Sequence, residues 1–142
     1  MRILFDSSAL YKRYHKETGA DRVADLRDQA SSIAAARHCK VEIASALNRG
    51  RHDGLMSGDE YAQIMASVQD DFADIDVIEI SQMVEVLAIA AMERSRLRGM
   101  DALHIGTALM ERVDLFVTAD RKQAIAAQAA GLKTEYVGVF AE

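Results

Sequence analysis

The sequence predicts an α/β fold in which a mainly parallel sheet carries helices on both faces. Short apolar segments, each long enough for one strand, alternate along the chain with longer segments of helical periodicity. This alternation is typical of parallel sheets whose strands are buried by helices on either side. The 142 residues contain no linker, internal repeat or low-complexity tract. We therefore expect residues 1–142 to form a single domain.

Five strands are predicted from short apolar runs. The first run is followed at once by Asp6-Ser7-Ser8, which is typical of a turn. A later run ends at Thr118, and Asp120 follows it two residues on. The predicted strands are residues 2–5, 32–35, 77–80, 115–118 and 133–139.

The helices are predicted from apolar residues at helical spacing and from their end signals. Ser57 and Glu60 have the spacing of a capping box, in which each side chain bonds the other residue's backbone N–H. Ser81 is a candidate cap for a later helix. Because the chain has no proline, glycines such as Gly99 and Gly131 are expected to end helices. The predicted helices are residues 9–16, 19–28, 37–51, 59–72, 83–94, 100–112 and 121–130.

Composition and charge exclude several classes of protein. The single cysteine, Cys39, excludes a disulfide framework and a cysteine-only zinc site. The net charge of −5 argues against nucleic-acid binding by bulk charge alone, although carboxylates gathered around a cation would contribute to the same count. Asp6 interrupts the first apolar run too early for a secretory signal, and no run is long enough to span a membrane. We expect a soluble, cytoplasmic protein.

Two acids occupy the ends of predicted strands. Asp6 follows the first strand and Asp120 follows the fourth, so parallel strands would place both carboxylates on the same rim of the sheet. Each acid also has a purely structural interpretation, because aspartate at such a position commonly caps the next helix.

Two further acids lie on predicted helices. Glu42 interrupts a mostly apolar helical stretch, and Asp101 opens a helix on the face that also carries Ile105. Asp101 could simply compensate the helix dipole. Glu42 could be a solvated residue, paired with His38 or Arg49.

The four acids together favour a metal site more strongly than any one of them does alone. Close carboxylates repel each other while ionised, so a cation is needed to hold them together. Carboxylate oxygens suit Mg²⁺ and Mn²⁺, which can activate a water for in-line attack on a phosphodiester. The candidate ligands are Asp6, Glu42, Asp101 and Asp120.

Four segments in order give the chain a family resemblance. They are residues 3–10, 41–47, 100–109 and 115–121, which read ILFDSSAL, VEIASAL, MDALHIGTAL and LFVTADR. In sequence, order and spacing they resemble the PIN domain, and within it the VapC-like toxins of bacterial toxin–antitoxin pairs. The resemblance spans nearly the whole chain.

The resemblance implies a three-layer α/β/α sandwich and a Mg²⁺- or Mn²⁺-dependent endoribonuclease. It implies that the four acids form one pocket, with Asp6 and Asp101 as the foremost metal ligands, and that Thr118 supplies a hydroxyl beside the last acid. It also implies a homodimer and a cognate antitoxin whose tail blocks the pocket. Met100 and Cys39-Lys40 depart from the small residues common in the family, without removing a ligand.

Other features leave alternatives open. His104 falls one turn after Asp101, and could either touch the pocket or be held by hydrogen bonds within the fold.

A PIN-like module that binds RNA or protein without turnover is the alternative function. A phosphotransfer enzyme with Asp6 as nucleophile is disfavoured, because its motif requires a second aspartate where Ser8 stands. Bases that could either contact RNA phosphates or line a solvated face are Lys12, Arg13, Lys16, Arg49, Arg51, Arg121 and Lys122.

Overall fold

A five-stranded, entirely parallel sheet forms the centre of the protein in the computed structural model, which describes residues 1–139. The spatial order of the strands is β3-β2-β1-β4-β5, with β1 in the middle. The predicted parallel sheet is therefore confirmed. Its strands are β1 (Arg2–Phe5), β2 (Ser32–Ala36), β3 (Asp76–Ile78), β4 (Leu115–Thr118) and β5 (Thr134–Tyr136).

Helices cover both faces of the sheet. They are α1 (Ser7–Leu10), followed by a 3-10 turn (Tyr11–Arg13), α2 (Ala20–Gln29), α3 (Cys39–His52), α4 (Gly58–Asp74), α5 (Gln82–Arg94), α6 (Gly99–Glu111) and α7 (Arg121–Ala129). The helices α1 to α4 bury one face and α5 to α7 bury the other, which confirms the three-layer α/β/α arrangement. None of the helices within residues 1–139 is long and apolar enough to cross a membrane.

The side chains of the first strand show how the two layers are filled. Ile3 and Phe5 belong to the core under α1–α4, whereas Leu4 belongs to the core under α5–α7. Successive residues of a strand point to opposite faces, so a continuous apolar run can satisfy two cores at once. This is why the strand sequences are continuously apolar instead of alternating.

Several element ends differ from the prediction. The expected helix over 9–16 is instead α1 and a 3-10 turn, since the Asp6 side chain accepts a hydrogen bond from the Ala9 backbone and starts the helix at Ser7. Gly99, expected to end a helix, is instead the first residue of α6, while α5 ends at Arg94. The last strand is shorter than 133–139, and residues 140–142 lie outside the described residues.

The strand order creates a crevice between β1 and β4. From β1 the chain moves outward through β2 to β3, then crosses back to β4 and moves outward in the other direction to β5. Open α/β sheets bind ligands where the strand order reverses, beyond the carboxyl ends of the two strands. Phe5 is in register with Val117, so the residues that follow β1 and β4 lie side by side at this crevice.

Candidate active site

The four predicted acids line one cavity of about 670 Å³ at the crevice. Asp6 follows β1 directly, and Asp120 lies two residues beyond the end of β4. Glu42 is in the first turn of α3, and Asp101 is in the first turn of α6. Residues far apart in the sequence therefore converge on one pocket, as the strand-end argument predicts for two of them.

Asp6 is a buried carboxylate held by three donors. It is only 3% exposed, and its Oδ1 accepts hydrogen bonds from Ser8 Oγ at 2.7 Å and from the Ala9 backbone at 3.0 Å. Its Oδ2 accepts from Thr118 Oγ1 at 2.5 Å. Burial raises the pKa of Asp6, although the charge of His104 and these hydrogen bonds act in the opposite direction. The capping interpretation is therefore correct, yet the same carboxylate lines the pocket.

Glu42 is held at one of its two oxygens. Its Oε1 accepts from Ser7 Oγ at 2.6 Å and from His104 Nε2 at 2.7 Å, and His38 Nε2 lies at 3.4 Å. No hydrogen bond or ion pair among residues 1–139 uses Oε2. Burial raises the pKa of Glu42, but the hydrogen bonds from His104 and Ser7 outweigh this effect and lower it overall. Glu42 is thus an ionised carboxylate with one oxygen available.

Asp101 and Asp120 complete the acidic lining. Asp120 Oδ1 caps α7 by accepting from the Gln123 backbone at 3.1 Å. Asp101 Oδ2 lies 3.3 Å from Arg98 Nε, in an ion pair whose arginine is almost fully exposed and therefore contributes little stability. The Gln123 side chain also donates to the Asp101 backbone carbonyl, which ties the start of α6 to α7.

Thr118 lies behind the pocket instead of in its lining. It is fully buried, it donates to Asp6 and it accepts from the Asp120 backbone at 3.0 Å. One hydroxyl therefore links the two strand-end acids. The geometry supports a positioning role for Thr118.

Two histidines form a part of the site that sequence reasoning largely missed. His104 lines the pocket and is also hydrogen-bonded within the fold, so both interpretations of this residue describe it. The sequence indicates His38 only as a partner of Glu42, and their spacing of four residues on one helix is the signal for that pairing. The two rings lie 4.2 Å apart between centroids, and burial together with the nearby His104 lowers the pKa of His38.

The structure places the candidate RNA-binding bases in different surroundings. Arg51 donates to Asn48 Oδ1, and Lys16 is exposed. Lys12 is buried against Glu17, and Arg13 is paired with Asp71, so neither is available to a ligand. Arg49 lines the acidic pocket.

Beside the pocket, a second cavity of about 610 Å³ shares three residues with it. Its lining is Arg96, Leu97, Arg98, Asp101, Asp120, Arg121 and Lys122.

The chain belongs to the PIN domain family, whose model matches residues 3–129. It is 29% identical over 133 residues to Ribonuclease VapC45 of Mycobacterium tuberculosis (strain CDC 1551 / Oshkosh), and the match covers 92% of each chain. VapBC of Salmonella typhimurium, solved bound to DNA, is similar in fold with a TM-score of 0.67, 12% identity and coverage of 96% of this chain and 98% of that chain. VapC20 of Mycobacterium tuberculosis, described as a toxin that cleaves the sarcin–ricin loop, gives a TM-score of 0.66, 14% identity and coverage of 87% and 94%.

Proposed function

We propose that the protein is the toxin of a toxin–antitoxin pair and acts as a Mg²⁺- or Mn²⁺-dependent endoribonuclease. The observation that carries the proposal is the convergence of the four acids on one cavity at the crevice between β1 and β4. The VapC ribonucleases among its relatives support the same activity.

The pocket fits a hard divalent cation. Four carboxylates line it together with two arginines, Arg49 and Arg98. Within residues 1–139, Arg98 pairs with Asp101, His38 and His104 contact Glu42, and Asp6 is buried without a counter-charge in contact. Ionised carboxylates in such a site need positive charge, and their oxygens are the ligands that Mg²⁺ and Mn²⁺ prefer. When bound, the ion would supply a water activated for attack and positive charge for the phosphate.

The residues of the chain position this acidic set. Thr118 and Ser8 hold the Asp6 carboxylate from behind, and Ser7 and His104 fix Glu42 with Oε2 left available. Charges that are already fixed in position need little reorganisation during the reaction. This low cost of reorganisation is the main source of rate enhancement in such sites.

Cleavage of total RNA by the purified protein, free of any antitoxin, tests the proposed activity. We expect discrete fragments with Mg²⁺ or Mn²⁺ and none with EDTA. Sequencing the fragment ends would identify the RNA that is cut. If the folded protein cuts no RNA with either metal but binds RNA tightly, the module without turnover becomes the better account.

The basic cavity beside the pocket is proposed as the path of the RNA backbone. Arg96, Arg121 and Lys122 are exposed, and no ion pair of theirs occurs among residues 1–139. Arg and Lys side chains set the register of a nucleic acid by contacting its phosphates. The cavity shares Asp101 and Asp120 with the acidic pocket, so a strand lying in it would lead a phosphate to the acids.

Removing one of these charges is expected to weaken RNA binding without changing sequence preference. Arg96→Ala or Arg121→Ala, made in the Asp6→Asn background to prevent cleavage, should reduce the slope of log K against log salt by about 0.7 for each phosphate that is no longer neutralised. Fluorescence anisotropy with single-stranded RNA at several salt concentrations measures the slope. Lys133→Ala is the matched control, because exposed Lys133 precedes β5 and so lies toward the amino ends of the strands, away from the pocket. If Lys133→Ala reduced the slope by the same amount, the basic cavity would no longer be supported as the path of the RNA backbone.

A cognate antitoxin and a homodimer are proposed as partners. VapBC complexes among the structural neighbours support the antitoxin. The exposed apolar face of α5, formed by Met83, Val86 and Ile89 at intervals of three residues, supports an interface between copies. Light scattering on the purified chain tests the dimer, with a mass of twice 15.6 kDa expected and a monomer mass contradicting it.

A further inference from the structure

A cluster of two imidazoles and one carboxylate lies beside the acidic pocket. Glu42 Oε1 is 2.7 Å from His104 Nε2 and 3.4 Å from His38 Nε2, and the three atoms all lie within 4.8 Å of one another. His104 Nε2 donates to this oxygen, and His38 Nε2 lies near it while donating to the Met100 carbonyl. His38 directly precedes α3 and Glu42 lies in its first turn, while His104 comes from α6 on the other face of the sheet.

The donor set differs in chemical type from the four-carboxylate set. Imidazole nitrogen with one carboxylate oxygen suits Zn²⁺ and neighbouring transition-metal ions, whereas Mg²⁺ prefers oxygen ligands alone. Bonds of about 2.0–2.1 Å in a tetrahedral site place ligand atoms about 3.3 Å apart. The two separations that involve Glu42 Oε1, 2.7 and 3.4 Å, lie on either side of that value, and the two Nε2 atoms lie within 4.8 Å of each other.

The hydrogen bonds of the two buried rings show what an ion would have to replace. His104 is 2% exposed, and the His38 side chain is 12% exposed. His38 Nε2 donates to the Met100 carbonyl at 2.8 Å, and the Nδ1 atoms of both rings are buried without a partner among residues 1–139. His104 Nε2 donates to Glu42 Oε1 at 2.7 Å, so the Nε2 atom of each ring already makes a hydrogen bond. An ion at the two Nε2 atoms would replace these bonds and leave each ring proton on Nδ1.

We propose that His38, Glu42 and His104 bind one Zn²⁺-type ion at a second metal site, which shares Glu42 and His104 with the pocket proposed for Mg²⁺ or Mn²⁺. Ser7 Oγ, which donates to Glu42, would orient the carboxylate in the way that outer groups commonly orient metal ligands. Because Glu42 belongs to both sites, the ion would restrain a ligand of the catalytic pocket and inhibit RNA cleavage. The inhibition rests on the proposed ribonuclease function, whereas the binding does not.

The binding test titrates Zn²⁺ into the full chain in excess Mg²⁺. We expect one bound zinc per chain by elemental analysis after desalting. In nitrogen spectra of the histidine side chains, the Nε2 signals of His38 and His104 should shift, and those of His15 and His52 should not. This spectrum uses the unaltered protein, so it remains informative if a variant fails to fold. Absence of bound zinc, or binding that leaves both signals in place, would overturn the proposal.

Matched variants test the ligands individually. His38→Gln and His104→Gln should each weaken zinc binding at least about tenfold, whereas His52→Gln, at an exposed position, should leave it unchanged. In the Mn²⁺-dependent cleavage assay, Zn²⁺ should inhibit the unaltered protein at lower concentration than it inhibits His38→Gln. Equal inhibition of both would show that zinc acts elsewhere, at the carboxylates. If the unaltered protein cleaves no RNA even without zinc, the proposed function is contradicted and the zinc-binding result still stands.

Discussion

Asp6→Asn is expected to reduce metal-dependent RNA cleavage by about 100-fold or more, the range in which removal of one group that stabilises charge in the transition state commonly falls. The substitution keeps the size of the side chain but removes a charge that a divalent cation would need. Cleavage rates at saturating Mn²⁺ measure the effect. Asp25→Asn is the matched control, since Asp25 is exposed on α2 and outside the pocket. Equal rates for Asp6→Asn and the unaltered protein would contradict the assigned role of Asp6.

The same substitution is expected to make the metal-free protein more stable. Burial raises the pKa of Asp6, so the folded protein holds this proton up to a higher pH than the unfolded chain does. The contribution of Asp6 to the free energy of unfolding is therefore full below the ordinary aspartate pKa and decreases as pH rises toward the raised value. Urea unfolding in EDTA should show an advantage for Asp6→Asn that grows from acid to neutral pH. A constant or reversed difference would show that its hydrogen bonds outweigh burial.

Gly19→Ala is expected to have the largest effect on stability. Gly19 has a φ of +95°, and an added Cβ would lie 1.9 Å from the Val137 carbonyl oxygen. The left-handed backbone costs a residue with a side chain about 1–2 kcal/mol. Overlap in a packed region commonly costs about 1–3 kcal/mol more. Urea denaturation followed by circular dichroism measures the free energy of unfolding.

Gly131→Ala separates these two contributions. Gly131 has a nearly identical φ of +94°, but nothing lies within 4 Å of an added Cβ. This variant should therefore show only the backbone cost, and the difference between the two variants should measure the steric cost. Equal destabilisation would mean that the chain near Val137 moves aside without cost.

Much of the fold could be predicted from short stretches of sequence, because the structure they favour locally is also the one that tertiary packing requires. The continuous apolar runs of β1 and β4 are explained by burial on two faces, and the Ser57 and Glu60 capping box forms as its spacing predicts. The start of α6 was predicted to within one residue, whereas the helix predicted over 9–16 is split into α1 and a 3-10 turn.

The residues of the candidate site that directly follow strands could be placed from the sequence. Asp6 and Asp120 follow parallel strands, so their common rim could be deduced from the strand pattern alone. The partnership of His104 with Glu42 could not, because the two residues are 62 positions apart on helices that meet only after folding. A histidine on an apolar helix face gives no local sign of its partner.

The chemistry of the RNA ends tests the central claim most directly. If the four acids hold a metal that activates water, cleavage should require Mg²⁺ or Mn²⁺ and leave a 5′-phosphate and a 3′-hydroxyl. Enzymatic end-labelling and mass spectrometry of the fragments distinguish these ends. Fragments with a 2′,3′-cyclic phosphate, formed equally well in EDTA, would mean that the ribose hydroxyl is the nucleophile. That result would contradict the role assigned to the acids and direct attention to His38 and His104 as the acid–base pair.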